Sequence, residues 1–123
     1  MEFKADQPIY LQIMSLIQNK IVSGELKKGD KIPAVRSLAL DLSTNPNTVQ
    51  RALSELEREE IVFSKRGLGR FVTEDDDKIK ALKDSEITHL IDNFMTYMQA
   101  LGLSQEKILT TLQAYMTKLG DKV

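Results

Sequence analysis

Asn45-Pro46-Asn47-Thr48-Val49-Gln50-Arg51-Ala52-Leu53-Ser54-Glu55-Leu56 decides the fold. Asparagine caps a helix N-terminus well, and proline suits the first helical position, where its missing N–H is no loss. Val49, Leu53 and Leu56, with Ala52 close by, recur at helical spacing. The pattern predicts a helix from about Pro46 to Glu59 with one apolar and one polar face.

Upstream, Val35, Leu38, Ala39 and Leu42 share a face of a short helix predicted over Ala34–Leu42. Only Ser43-Thr44 separates it from Asn45, so two helices meet at a tight turn. Further back, Glu25 to Pro33 carries Gly29-Asp30 and a proline and reads as a turn-rich connector. Before it, Ile9, Ile13, Leu16, Ile17 and Ile21 follow Pro8 and mark a helix that Gly24 stops.

Downstream, Ile61-Val62-Phe63 and Phe71-Val72-Thr73 are β-prone runs flanking Ser64–Gly69, a polar stretch with two glycines. They predict a hairpin with a basic tip. Glu74-Asp75-Asp76-Asp77 suits a helix start, whose amides are electropositive. An apolar stripe follows at Ile79 and Leu82, then Ile87, Leu90, Ile91, Phe94, Met98 and Leu101. Asp84-Ser85 is a possible break, so 74–101 reads as one helix or two. Gly102 ends it, and Ser104 caps a last helix with Ile108, Leu112, Tyr115 and Leu119 on one side.

The expected fold is therefore α+β and mostly α. Residues 1–73 form a winged helix-turn-helix of three helices and a two-stranded wing, and residues 74–123 a helical tail. Charge divides the same way. Residues 1–73 hold eleven Lys/Arg against nine Asp/Glu, a net of +2, and residues 74–123 carry −3. A major groove about 12 Å wide admits one helix. The helix before it braces the reader against the backbone, and a basic hairpin reaches phosphates alongside.

The blocks Gly24-Glu25-Leu26-Lys27-Lys28-Gly29-Asp30-Lys31-Ile32-Pro33-Ala34-Val35-Arg36-Ser37-Leu38-Ala39, Asn45 to Leu53, Leu56-Glu57 and Arg66-Gly67-Leu68-Gly69-Arg70-Phe71-Val72 occur in order at compatible spacing. Over roughly residues 8–73 they resemble the GntR family of bacterial regulators. The run from Asn45 to Val49 and the fifty-residue tail are similar to its YtrA-type subfamily. That resemblance implies a homodimer joined by its tail, without a large effector-binding domain, often acting as a repressor of transporter operons. It assigns DNA contact to Arg36, Asn45, Asn47, Thr48 and Arg51, and to Gly67 at the wing tip with Lys65 and Arg66 beside it. Three positions depart from the family: Pro46 and Gln50 stand where basic residues are common, and Arg70 replaces a small hydroxyl residue. The base preference of relatives therefore does not transfer.

Residue by residue, blander readings compete. Asn45 reads equally as cap or contact. Gln50 can pair with adenine or stay solvated, and Arg51 can pair with Glu55 at i+4. Arg58 reads as structural. Lys27, Lys28 and Lys31 read as a solvated turn that adds phosphate attraction. The tail stripe Ile87, Leu90, Ile91, Phe94, Met98, Leu101, Ile108, Leu112 and Tyr115 is too large for two helices to hide alone, and predicts dimerisation. A twofold dimer implies a pseudo-palindromic operator. A small effector is conceivable, but no residue set points to one.

Other chemistries find little support. The chain has no cysteine, which excludes thiolate metal sites and cysteine nucleophiles and suits a reducing compartment. His89 has Asp92 and Asn93 nearby in sequence, too few ligands for a metal. Met95, Met98 and Met116 read as core or interface. Ser15, Ser23 and Ser37 lack a histidine partner, and no phosphate-binding glycine motif occurs. No cofactor, metal or enzymatic activity is expected. The opening Met1-Glu2-Phe3-Lys4-Ala5-Asp6 lacks the apolar run of a secretory signal, and no segment approaches the ~20 apolar residues of a membrane span. A cytoplasmic protein is expected. The rival reading is a protein-interaction module that reuses the winged fold.

Overall fold

The computed structural model describes residues 3–121. Met1, Glu2, Lys122 and Val123, at the ends of the two expected segments, lie outside them. In chain order the elements are α1 (Ile9–Val22), α2 (Val35–Asp41), α3 (Pro46–Arg58), β1 (Val62–Lys65), β2 (Gly69–Val72), α4 (Asp76–Ala100) and α5 (Gln105–Asp121). They fall into two compact units, one ending at Asp84 and one beginning at Ser85.

The first unit is built around α3. Val49, Ala52, Leu53 and Leu56 are almost completely removed from water. They meet Ile13, Met14, Ile17 and Ile21 of α1 and Leu38, Ala39 and Leu42 from α2 and its end. Ile32, Ile61, Val62 and Val72 close the core, and Ile79 and Leu82 of α4 pack against its rim. At about 1.5–3 kcal/mol for each fully buried aliphatic side chain, this cluster is the main source of cohesion.

Three of the helices end alike. The N–H groups of Ser43 and Thr44 donate to the carbonyls of Leu40 and Ala39 after α2. Glu60 and Ile61 do the same to Glu57 and Leu56 after α3, and Gly102 and Leu103 to Gln99 and Met98 after α4. Each is a paired C-terminal cap that needs a left-handed residue. Gly102 supplies it without strain, whereas Ser43 (φ 51°) and Glu60 (φ 64°) adopt it with a Cβ present. The Ser43 turn makes the helix-turn-helix tight, because Asn45 begins capping α3 two residues later.

The strands are longer and the loop shorter than the sequence predicts. β1 and β2 pair antiparallel with Val62 opposite Val72, Phe63 opposite Phe71, Ser64 opposite Arg70 and Lys65 opposite Gly69. Only Arg66, Gly67 and Leu68 remain as turn. Ile61 belongs to the cap of α3 rather than to a strand. The connector expected as turns contributes a further rung on the other edge of β2. Lys31 bridges Phe71, Ile32 N–H donates to the Arg70 carbonyl at 2.8 Å, and Val72 N–H to the Asp30 carbonyl at 2.8 Å.

Residues 76–100 form one helix, so Asp84-Ser85 makes no break. Its start is capped by Asp75, whose Oδ1 accepts from Asp77 N–H at 2.9 Å. Ser104 Oγ accepts from Lys107 N–H at 3.1 Å and caps α5. In the second unit Ile91, Phe94 and Met95 of α4 and Ile108, Leu109 and Leu112 of α5 line an apolar groove of about 340 Å³. No helix among the described residues is long and apolar enough to cross a membrane.

Glu60→Gly removes the Cβ from a left-handed position and gives up only an exposed ion pair with Lys78 (3.3 Å). Stability should rise by roughly 0.5–1 kcal/mol, read as the urea midpoint at fixed protein concentration. Leu53→Ala should lower it by about 2–5 kcal/mol in the same assay.

Candidate nucleic-acid interface

The buried face of α3 fixes the direction of the opposite one. Asn47, Gln50, Arg51, Ser54 and Arg58 are exposed on it, and Thr48 is half-buried at its edge. Asn45 Oδ1 accepts from Asn47 N–H at 2.8 Å, so its oxygen serves the cap. Its amide nitrogen is left for other partners.

Arg51 does not pair with Glu55 as its spacing suggested. Glu55 pairs with Arg58, and the Arg51 guanidinium stacks on Tyr10 of α1, 3.8 Å from the ring centre. Stacking holds the planar group and leaves its edge donors open. Pro8, Ile9, Tyr10, Asn47, Thr48 and Arg51 together line a concavity, so the start of α1 lies beside the start of α3.

Arg36 is exposed on α2. It borders a cleft with Ala39, Leu40, Thr44 and Pro46, which brings its base next to the first residue of α3. Leu40 in that cleft is 80% exposed, an apolar residue the sequence reading left aside.

Lys65 belongs to β1 and pairs with Gly69, rather than to the loop. Its ammonium lies 4.9 Å from the Phe71 ring centre and 5.6 Å from that of Phe63, on the wing face carrying both aromatics. Arg66 and Gly67 form the tip, exposed, with Gly67 at φ 79°. Leu68, beside them, is 60% exposed.

Two further residues tie wing to helix. Arg70 Nε donates to Glu57 Oε1 at 3.3 Å and its Nη1 to Gln50 Oε1 at 3.5 Å. Ser64 donates to the same Glu57 oxygen. The signal was present in the sequence: Arg70 and Ser64 share strand parity with the buried Val72 and Val62, and Gln50 and Glu57 sit seven apart on one helix stripe.

In the second unit Ile87, Leu90, Ile91, Phe94, Leu101, Leu112 and Tyr115 are exposed, and Met98 is half-buried. Tyr97, Leu109, Met116 and Leu119 add to that apolar surface. Ile108 departs from the expected dimer face. It is 3% exposed within the single chain, because it forms part of the floor between α4 and α5. His89 Nε2 lies 3.3 Å from the Asn93 side-chain nitrogen, and no cluster of metal-ligating residues forms among the described residues.

A polar-faced helix seated on two others, a basic hairpin beside it and an arginine at its entrance define a winged helix-turn-helix protein. Residues 9–72 match the family described as bacterial regulatory proteins, gntR family, and the chain belongs to it. It is 40% identical to the uncharacterized HTH-type transcriptional regulator YhcF of Bacillus subtilis over 93% of this chain and 94% of that one. It is 44% identical to the HTH-type transcriptional repressor YtrA of Bacillus subtilis over 58% of this chain and 55% of that one. Among solved structures, a GntR family transcriptional regulator from Listeria monocytogenes superposes with a TM-score of 0.81 at 41% identity, covering 91% of this chain and 98% of that one. The DNA-binding domain of AraR in complex with operator ORR3 gives a TM-score of 0.53 at 27% identity, covering 59% and 86%. The chain is thus a helix-turn-helix transcriptional regulator with YtrA among its relatives, and those relatives are regulators rather than enzymes.

Because the Asn45 oxygen serves the cap, Asn45→Ala should lower stability by about 1 kcal/mol with no nucleic acid present. Asn45→Asp should keep it. Thermal unfolding of the two variants at one concentration separates capping from any other role of this residue.

Proposed function

We propose that this regulator binds a pseudo-palindromic operator as a homodimer and represses by occupying the promoter. The observation that carries the reading is the division of α3 into two faces. One is buried, and the other presents Asn47, Gln50 and Arg51, with Arg36 near its start and the wing tied to it through Arg70 and Ser64. In this reading the side chains at the start of α3 meet base edges, and Thr48 lies at the rim of the contact. Arg36, Arg51, Lys65 and Arg66 supply positive charge near phosphates. The AraR DNA-binding domain, whose fold is similar, is known in complex with an operator.

In this reading the head is residues 1–73 and the dimerising tail 74–123, the first turns of the tail, with Ile79 and Leu82, packing on the core of the head. Support for the dimer comes from the second unit, where large apolar side chains of both helices stand exposed, the kind of surface that marks a contact with another chain. Ile87, Leu90, Ile91, Phe94, Leu101, Leu112 and Tyr115 are the residues a second copy would cover. The protein works where its DNA is, in the cytoplasm.

Selection of bound DNA from a random pool at physiological salt should return a twofold-symmetric consensus. Arg36→Ala and Arg51→Ala should each weaken binding to it and reduce the salt slope by about one, as loss of a phosphate contact does. Both should keep the wild-type mass in sedimentation equilibrium. Failure of the wild type to enrich any sequence, or full binding by both variants, would overturn the assignment. Phe94→Asp should convert the dimer to monomer at micromolar concentration and weaken operator binding with it.

A further inference from the structure

Gln50 is an exposed amide on the reading face with a long polar contact at each end. Arg70 Nη1 donates to its Oε1 at 3.5 Å, and its own Nε2 donates to Ser54 Oγ one turn along α3, also at 3.5 Å. A guanidinium has donors only, so the end of the amide facing Arg70 must be the oxygen. Arg70 is itself held. Its Nε bonds Glu57, its side chain is only 20% exposed, and Glu57 also takes the Ser64 hydroxyl from the opposite strand. The charge of Arg70 is thereby balanced inside the protein and its head directed at α3, which disfavours a phosphate contact.

A side-chain amide carries two acceptor lone pairs and two N–H donors. With one of each engaged by Arg70 and Ser54, one acceptor and one donor remain. In the major groove adenine offers a donor (N6) beside an acceptor (N7), guanine offers two acceptors, and cytosine offers a donor alone. We propose that Arg70 is a positioning residue that fixes the Gln50 amide so that it selects an A·T pair. The inference rests on the reading that α3 enters the major groove. It extends that reading by giving Arg70 a specificity role exerted through another side chain.

The test is selection from a randomised pool with wild type, Gln50→Ala, Arg70→Thr and Arg70→Lys, each followed by titration against single-base operator variants at several salt concentrations. The wild-type consensus should contain one A·T pair per half-site that becomes degenerate in Gln50→Ala. Arg70→Thr should reduce the preference at that same position roughly tenfold, the size of one mismatch. Preferences elsewhere and the salt dependence should be unchanged. Arg70→Lys keeps the stem and a charge for Glu57 but lacks the branched head. It should show the same local loss, and it carries the test if the threonine variant does not fold.

A uniform weakening across all sequences, with the salt slope reduced by about one, would make Arg70 a phosphate contact and overturn the proposal. Retention of the A·T preference in both Arg70 variants, or its survival in Gln50→Ala, would overturn it too while leaving the reading helix in place. Absence of any wild-type consensus would remove the reading helix itself and this inference with it.

Discussion

Removal of Val49, Ala52, Leu53 and Leu56 from water is the constraint on which the head depends. α3 is thirteen residues long and carries both the centre of the core and the polar face. Its apolar positions are held by α1, α2 and the base of the wing, so the helix cannot rotate about its axis without exposing them. The directions of Asn47, Gln50 and Arg51 follow from that packing. Polar residues on the outer face can then change with little effect on the fold, which lets one scaffold serve different operators. Such a division also explains why α2 can be only seven residues long. Such a helix is marginal alone, and Leu38, Ala39 and Leu42 gain stability only against α3.

Around this helix the accessory parts are fastened by groups of different kinds. Tyr10 holds Arg51 by stacking. Glu57 gathers Arg70 and Ser64 by charge and hydrogen bonding. The Ser43 turn sets the approach of α2 through backbone bonds alone. Each attaches a separate element to α3, so the candidate contact residues, drawn from α2, α3, β1 and the turns beside them, all depend on that one helix.

Helices were legible because their signals are local: Asn45-Pro46 for the start of α3, Ser104 for α5, and apolar spacing throughout. The wing was legible as a hairpin but not in its length. Ser64 and Lys65 are polar residues that strand pairing accommodates on an exposed ladder, and pairing partners are non-local. The Lys31–Phe71 rung escaped for the same reason, since a segment containing Gly29 and Pro33 reads as turns until a strand is placed beside it. At the site, the positions of Arg36 and Gly67 followed from motif order. The Arg51–Tyr10 stack did not, because local spacing offered Glu55 as the nearer partner, and the Arg70–Gln50 bond, though strand parity and helix stripe were readable, needed a placement of β2 against α3 that no local signal supplies. In the tail the apolar stripe was plain. Which of its members face inward was not, and Ile108 shows why: burial there depends on where α5 folds relative to its own neighbour in the unit.

The extra rung beside β2 has a consequence for how the head meets its target. A two-stranded ribbon in water is barely stable alone, and a loose one would have to lose its motional freedom at the moment of contact. Here β2 is bonded along both edges, to β1 and to the 29–32 segment. Most of the ordering entropy is therefore incurred when the chain folds and not when the complex forms. A duplex then meets a wing whose strands are already in place, so less of the cost of contact goes into ordering them.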